Sequence, residues 1–197
     1  MQLILASASP RRRELLTQIG FCYRCDPANI DESVLAGEKP EAYVVRMAQE
    51  KAAAVAQRYE GQQAAVLAAD TTVVIDDDVL GKPVDHFDGL GMLARLSGRS
   101  HTVMTAIAVR LPDATELSQR VETEVEFIQL SRELCDAYLA TDEPWDKAGG
   151  YGIQGLAGAF VSSIRGSYSN VVGLPLAQTW QLLSGLGLEN VLEASDE

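Results

Sequence analysis

The chain has 197 residues, 47% of them hydrophobic and 22% charged, with a formal net charge of −12. That length suits one compact domain, or two lobes folded as a unit. The acidic balance argues against bulk nucleic-acid or anionic-membrane binding, because both need a basic surface. No apolar run approaches the length needed to span a bilayer. The apolar stretch from Met1 to Pro10 precedes its arginines, the reverse of a signal peptide, so a cytoplasmic location is expected.

Leu3 to Ala6 is a short β-compatible run. Ser9 is a natural N-cap and Pro10 suits a first helical turn, so a helix is expected from Pro10 to Ile19, stopped by Gly20. Its apolar stripe is Leu15, Leu16 and Ile19, which leaves the arginines on the first turn. Cys22-Tyr23-Arg24-Cys25 is a C-x-x-C inside an extended stretch. Positions i and i+3 of a strand face opposite sides, so these thiols do not pair easily. Three cysteines, without a second C-x-x-C, fit a reducing compartment better than a disulfide framework or a zinc site.

A second helix is predicted from about Pro40 to Tyr59, with Tyr43, Val44, Met47, Ala48, Ala52 and Val55 at helical spacing. Ala65 to Ile75 is almost continuously apolar, as in a strand buried on both faces, and Asp70 interrupts it. A turn at Asp76-Asp77-Asp78 leads to Val79 and Leu80, and a third helix covers Phe87 to Leu96. Thr102 to Val109 and Arg120 to Ile128, joined through Pro112-Asp113, predict an antiparallel hairpin. Ser131 caps a helix to about Ala140, with Leu134, Ala137 and Tyr138 facing the core. Thr141 to Gly158 reads as a Gly-rich loop, Phe160 to Ile164 as a strand, and Pro175 to Gly185 as a final helix. The expected fold class is α/β, with a mixed, partly antiparallel sheet flanked by helices. Residues 1–197 form one domain, and residues 188–197 read as a flexible acidic tail.

Four stretches carry candidate chemistry. In Ser7-Ala8-Ser9-Pro10-Arg11-Arg12-Arg13-Glu14, a strand end feeds a helix N-terminus, where free N–H groups, hydroxyls and guanidiniums suit phosphate. A capped helix with a solvated basic turn is the plainer alternative. Asp70 is a carboxylate in an apolar strand, which is costly unless it is paired or binds metal. It is a candidate Mg²⁺ ligand or base, or else a structural Asp bonded to nearby backbone or to an arginine. Lys82 lies between Gly81 and Pro83, where a loop can hold its ammonium over a ligand, and Lys51 and Glu32 are weaker signals. Gly150, Gly152 and Gly155 match G-x-G-x-x-G, but no strand precedes them and no helix with a ribose-binding acid follows, so the dinucleotide reading fails. The glycines either approach a ligand, with Gln154 reading a base edge, or serve tight turns.

Taken together these stretches resemble the Maf family of nucleoside triphosphate pyrophosphatases. The resemblance rests on Leu5-Ala6-Ser7-Ala8-Ser9-Pro10-Arg11-Arg12, Glu50-Lys51-Ala52, Ala69-Asp70-Thr71, Lys82-Pro83, Asp146 to Gly155 and Ser167 to Pro175, in family order. It implies a two-lobed α/β fold around a cleft, like that of inosine triphosphatase, in a homodimer. The implied reaction splits a nucleoside triphosphate between its α- and β-phosphates, with Mg²⁺ or Mn²⁺. By carry-over Asp70 is the proton acceptor, Ser7, Arg11, Lys51 and Lys82 hold phosphates, and Glu32 joins Asp70 in binding metal. Arg12, Thr71 and Gln154 match the branch acting on dTTP and UTP, so the expected partner is a pyrimidine nucleoside triphosphate. Many relatives carry Glu before the Lys-Pro, where this chain has Gly81. Relatives are also linked to inhibition of cell division, which leaves a second reading: a nucleotide-binding regulator acting through a protein partner.

Overall fold

In a computed structural model that describes residues 1–192, the first apolar run forms strand β1 (Gln2–Leu5). Helix α1 (Pro10–Gln18) follows, and the Ser9 side chain caps it by accepting the backbone N–H of Arg12. Strand β2 (Tyr23–Cys25) then precedes helix α2 (Pro40–Ala56), which tightens into a 3₁₀ turn at Gln57–Tyr59. Strand β3 (Ala64–Ile75) is buried along almost its whole length. Its hairpin to β4 (Asp78–Leu80) turns on Asp76 and Asp77, at φ of 54° and 61°. Asp tolerates this left-handed geometry better than most residues. Helix α3 (His86–Leu96), strands β5 (Ser100–Arg110) and β6 (Glu116–Phe127), and helix α4 (Arg132–Leu139) follow. After three 3₁₀ turns come strand β7 (Val161–Arg165) and helices α5 (Tyr168–Val172) and α6 (Leu176–Leu183).

The strands form one seven-stranded sheet in the order β2-β1-β3-β5-β6-β7, with β4 paired to β3. β1 is parallel to both β2 and β3, whereas β3 with β4 and β6 with β7 are antiparallel. The sheet is therefore mixed, as the sequence predicts. The central strands β1, β3 and β5 are apolar and buried on both faces, whereas β6 alternates buried and exposed residues toward its end.

The chain divides into two compact units. The first comprises Met1–Asp70, Thr105–Val121 and Gly173 onward, and its core includes Leu3, Leu5, Leu16, Met47, Val55 and Leu67. The second comprises Thr71–Met104 and Glu122–Val172, with a core built around Val73, Leu93, Val103, Phe127, Tyr138 and Phe160. Among the described residues, no helix is long and apolar enough to cross a membrane.

Three expectations change. On α4 the core face is Cys135, Tyr138 and Leu139, while Leu134 and Ala137 are exposed. Cys135 acts as a small hydrophobe and completes an i, i+3, i+4 stripe. Helix α5 forms where no helix was expected, inside Ser167 to Pro175. The supposed tail is docked at its beginning: Leu188 and Asn190 are buried, and the Asn190 amide donates to the Ile19 carbonyl at 2.8 Å. Cys22 N–H donates to the Glu189 carbonyl and Val191 N–H to that of Gly20. The remainder of the expected tail, 193–197, lies outside the described residues. Cys22, Cys25 and Cys135 are all free thiols.

Candidate functional site

In the first unit, β1 and α1 are joined by a short turn that gathers hydroxyls and cations. Ser7 is buried, and its Oγ accepts the Ser9 N–H at 3.2 Å and an Arg12 Nη1–H at 3.4 Å. Arg12 Nε donates to the Gly173 carbonyl at 2.8 Å, which ties the first turn of α1 to the segment before α6. Burial pulls the Arg12 guanidinium below its ordinary range; Arg11 adds to this, and Asp70 and Glu32 oppose it. It stays a cation at any neutral pH. Arg11 is half-buried in the same turn.

Asp70 and Lys51 are 7% and 8% exposed. Lys51 Nζ lies 2.6 Å from Asp70 Oδ1 and 2.7 Å from Glu32 Oε1. Asp70 is placed by β3 and Lys51 by the inner face of α2, while Glu32 sits in an exposed segment before α2. The buried Lys51 and Asp70 balance charges that would each be costly alone, and the exposed Glu32 adds to the pairing.

Two further α2 residues fix that acidic segment. The Tyr43 hydroxyl donates to the Glu32 carbonyl oxygen at 3.0 Å. Burial, then the proximity of Asp70 and Glu32, push Tyr43 up to about 12, so it remains a neutral donor. Arg46 grips both oxygens of Glu38 at 2.6 Å and donates to the Ser33 carbonyl at 3.0 Å. The Arg46 hydrogen bonds hold Glu38 down at about 2. The geometry thus brings Ser7, Arg12, Glu32, Lys51 and Asp70 into one unit, and adds Tyr43 and Arg46.

Thr71, Lys82 and Gln154 fall in the second unit. Thr71 is half-buried, and Lys82 is exposed after Gly81, whose carbonyl accepts the Gly149 N–H at 2.9 Å. Gln154 is exposed near the tip of the Gly-rich segment. Tyr151 in the same segment is buried, and its hydroxyl meets His101 Nε2 at 2.7 Å. Burial drives His101 down to about 4, which keeps the imidazole neutral.

Lys51, a weak candidate on its own, carries a stronger signal in its spacing. Tyr43, Met47, Lys51 and Val55 recur every four residues, so Lys51 lies within the apolar stripe of α2. A lysine in such a stripe needs a buried partner. Glu143 had none: it contacts the Gly-rich segment thirteen residues onward, and no periodicity forecasts that.

The features define an α/β protein with a mixed sheet, a capped strand-to-helix turn rich in cations, and a buried lysine–carboxylate cluster. A family model described as Maf-like protein matches residues 2–186, and the chain belongs to that family. It is 53% identical to a dTTP/UTP pyrophosphatase of Shewanella sp. (strain MR-7), over 95% of this chain and all of that one. It is 54% identical to a protein of that name from Shewanella oneidensis, with the same coverage. A third, from Symbiobacterium thermophilum, is 52% identical over 94% of each chain. Among solved structures the chain is similar to the nucleoside-triphosphatase / dITP/XTP pyrophosphatase of Mycobacterium abscessus, at 16% identity and a TM-score of 0.43, over 64% of this chain and 74% of that one. That likeness is too loose to indicate a function.

Proposed function

We propose that this protein hydrolyses dTTP and UTP between the α- and β-phosphates, releasing the nucleoside monophosphate and pyrophosphate. The substrate follows from the relatives above, which match over nearly their whole length. The observation that carries the chemistry is Asp70, a buried carboxylate on β3 held at 2.6 Å by Lys51.

Asp70 accepts the proton of the attacking water. The water oxygen bonds to the α-phosphorus, the bond from that phosphorus to the α–β bridging oxygen breaks, and pyrophosphate leaves with that oxygen. Ser7, Arg11, Arg12, Lys51 and Lys82 bind and orient the phosphates, since positioning and charge neutralisation supply most of phosphoryl-transfer catalysis. Thr71 and Gln154 contact the nucleoside, and the Gln154 amide offers one donor group and one acceptor to a pyrimidine edge.

A divalent cation, Mg²⁺ or Mn²⁺, fits the residues present. Oxygens of Asp70 and Glu32 both approach one point, the Lys51 nitrogen, at 2.6 and 2.7 Å. These two hard carboxylates would hold such an ion, with water completing its coordination. When bound, the ion neutralises phosphate charge and polarises a phosphoryl oxygen.

The test is pyrophosphate release from a panel of nucleoside triphosphates, with Mg²⁺ or Mn²⁺ and with chelator. Metal-dependent release favouring dTTP and UTP is expected. A purine preference would overturn the base assignment, and no release by folded protein would favour a regulator that binds nucleotide without cleaving it.

A further inference from the structure

The Gly-rich segment is fixed from inside by one carboxylate. Glu143 stands just before the 3₁₀ turn Pro144–Asp146. Its side chain accepts the backbone N–H of Leu156 at 2.7 Å, that of Ala157 at 3.2 Å, and the Tyr138 hydroxyl at 3.0 Å. Leu156 and Ala157 open the 3₁₀ turn Leu156–Phe160, whose own cap position, Gly155, has no side chain to offer. Glu143 therefore caps from a distance what Gly155 leaves unmet, and a charged acceptor makes such bonds stronger.

The glycine spacing follows from the same packing. A Cβ at Gly155 would run into the Glu143 carboxylate, and one at Gly152 would stand 2.7 Å from the Lys147 stem. Lys147 is itself tied back by donating to the Glu143 carbonyl at 2.6 Å. These two glycines make room for the protein's own side chains. Gln154 lies between them, in a turn closed by Gly155 N–H donating to the Gly152 carbonyl at 3.1 Å. The segment is held ahead of Gln154 by the bond between Tyr151 and His101, and behind it by Glu143.

We propose that Glu143 is a positioning residue for base selection: it fixes the backbone that aims Gln154, without touching the nucleotide. The inference rests on the reading above that Gln154 contacts the base. The test compares Glu143→Ala, Glu143→Gln and Gln154→Ala, measuring kcat and KM for dTTP and for a purine triphosphate. Glu143→Ala is expected to raise KM for dTTP about tenfold and erode the pyrimidine preference, with kcat at saturation within about threefold, because the bonds lost orient the loop and not the reacting atoms. Glu143→Gln retains one acceptor oxygen and should fall between the two, which guards against misfolding of the alanine variant. Gly155→Ala should act in the same direction, and adding it to Glu143→Ala should cost nothing more, since the carboxylate it would strike is gone.

Intact pyrimidine preference in Glu143→Ala, with that preference lost in Gln154→Ala, would overturn the positioning role alone. Intact preference in Gln154→Ala would overturn the base reading, and the route through Gln154 with it. A loss of kcat equal to the loss in kcat/KM for Glu143→Ala would also contradict the proposal, since it would place Glu143 at the reacting centre.

Discussion

The Lys51 cluster and the Gly-rich segment solve the same problem in opposite ways. In the cluster Lys51 sits on a long helix, Asp70 on a buried strand and Glu32 on the segment before that helix, and they are one another's partners: Lys51 against Asp70 and Glu32. In the Gly-rich segment Gln154 is exposed, and the order comes from neighbours that hold the segment, the half-buried Glu143 and the buried Tyr151. The contrast teaches that a carboxylate inside a core can be paired with an internal cation. An exposed amide needs only a fixed loop beneath it.

If that contrast is right, damage to the cluster should cost stability as well as activity. Lys51→Met leaves two carboxylates without their cation, and a loss of about 3 kcal/mol or more in urea unfolding is expected. Adding Asp70→Asn should recover part of that loss, because the amide removes one of the stranded charges. Strict additivity of the two substitutions would break the idea of a shared ion cluster.

The second unit should show its weakness in acid. His101 has a folded pKa of about 4, below the ordinary 6.5. Between those values the unfolded chain binds more protons than the native one, so stability rises with pH there. It should therefore be lost as pH falls from about 6.5 toward 4, by about 3 kcal/mol at most for this residue. Unfolding midpoints of the wild type and His101→Gln at pH 7 and pH 5 would check this. An equal acid loss in both proteins would contradict it.

A smaller effect is expected where α2 holds the Glu32 segment. Tyr43→Phe keeps the ring and removes the donor to the Glu32 carbonyl, at about 1 kcal/mol in stability. If Glu32 is a metal ligand, the same variant should need several-fold more Mn²⁺, read by the paramagnetic resonance of the free ion. Unchanged Mn²⁺ binding would show that this hydrogen bond does not place the ligand. Lys82→Ala should be the mildest in stability, within about 0.5 kcal/mol, because the residue is exposed. It should raise KM for the triphosphate, and an unchanged KM would remove Lys82 from the phosphate site.

Much of this architecture is readable in the sequence because local signals agree with the global fold. Ser9 and Pro10 mark the start of α1, and Ser131 caps α4 through the Leu134 N–H. The long apolar run of β3 marks a central strand with Asp70 inside it. Where reading failed, the cause was tertiary. Lys51 gave only a weak signal because Asp70 and Glu32 each lie nineteen residues from it in sequence. Leu188 and Asn190 looked like part of a polar tail, yet they dock against the loop after α1 through the Phe21–Asn190 bridge. The glycines of the G-x-G-x-x-G run left a ligand and tight turns both open, and neither reading foresaw that Gly152 and Gly155 answer to Lys147 and Glu143. No local pattern encodes such contacts.

The account turns on Asp70. Asn has the same shape and cannot take a proton from water, so the decisive measurement is steady-state dTTP hydrolysis by a folded Asp70→Asn variant with saturating Mg²⁺. A fall in kcat of about 100-fold or more, with dTTP still bound, is the predicted result. Hydrolysis at the wild-type rate would show that Asp70 is only the structural counter-ion of Lys51, and that the proton goes elsewhere.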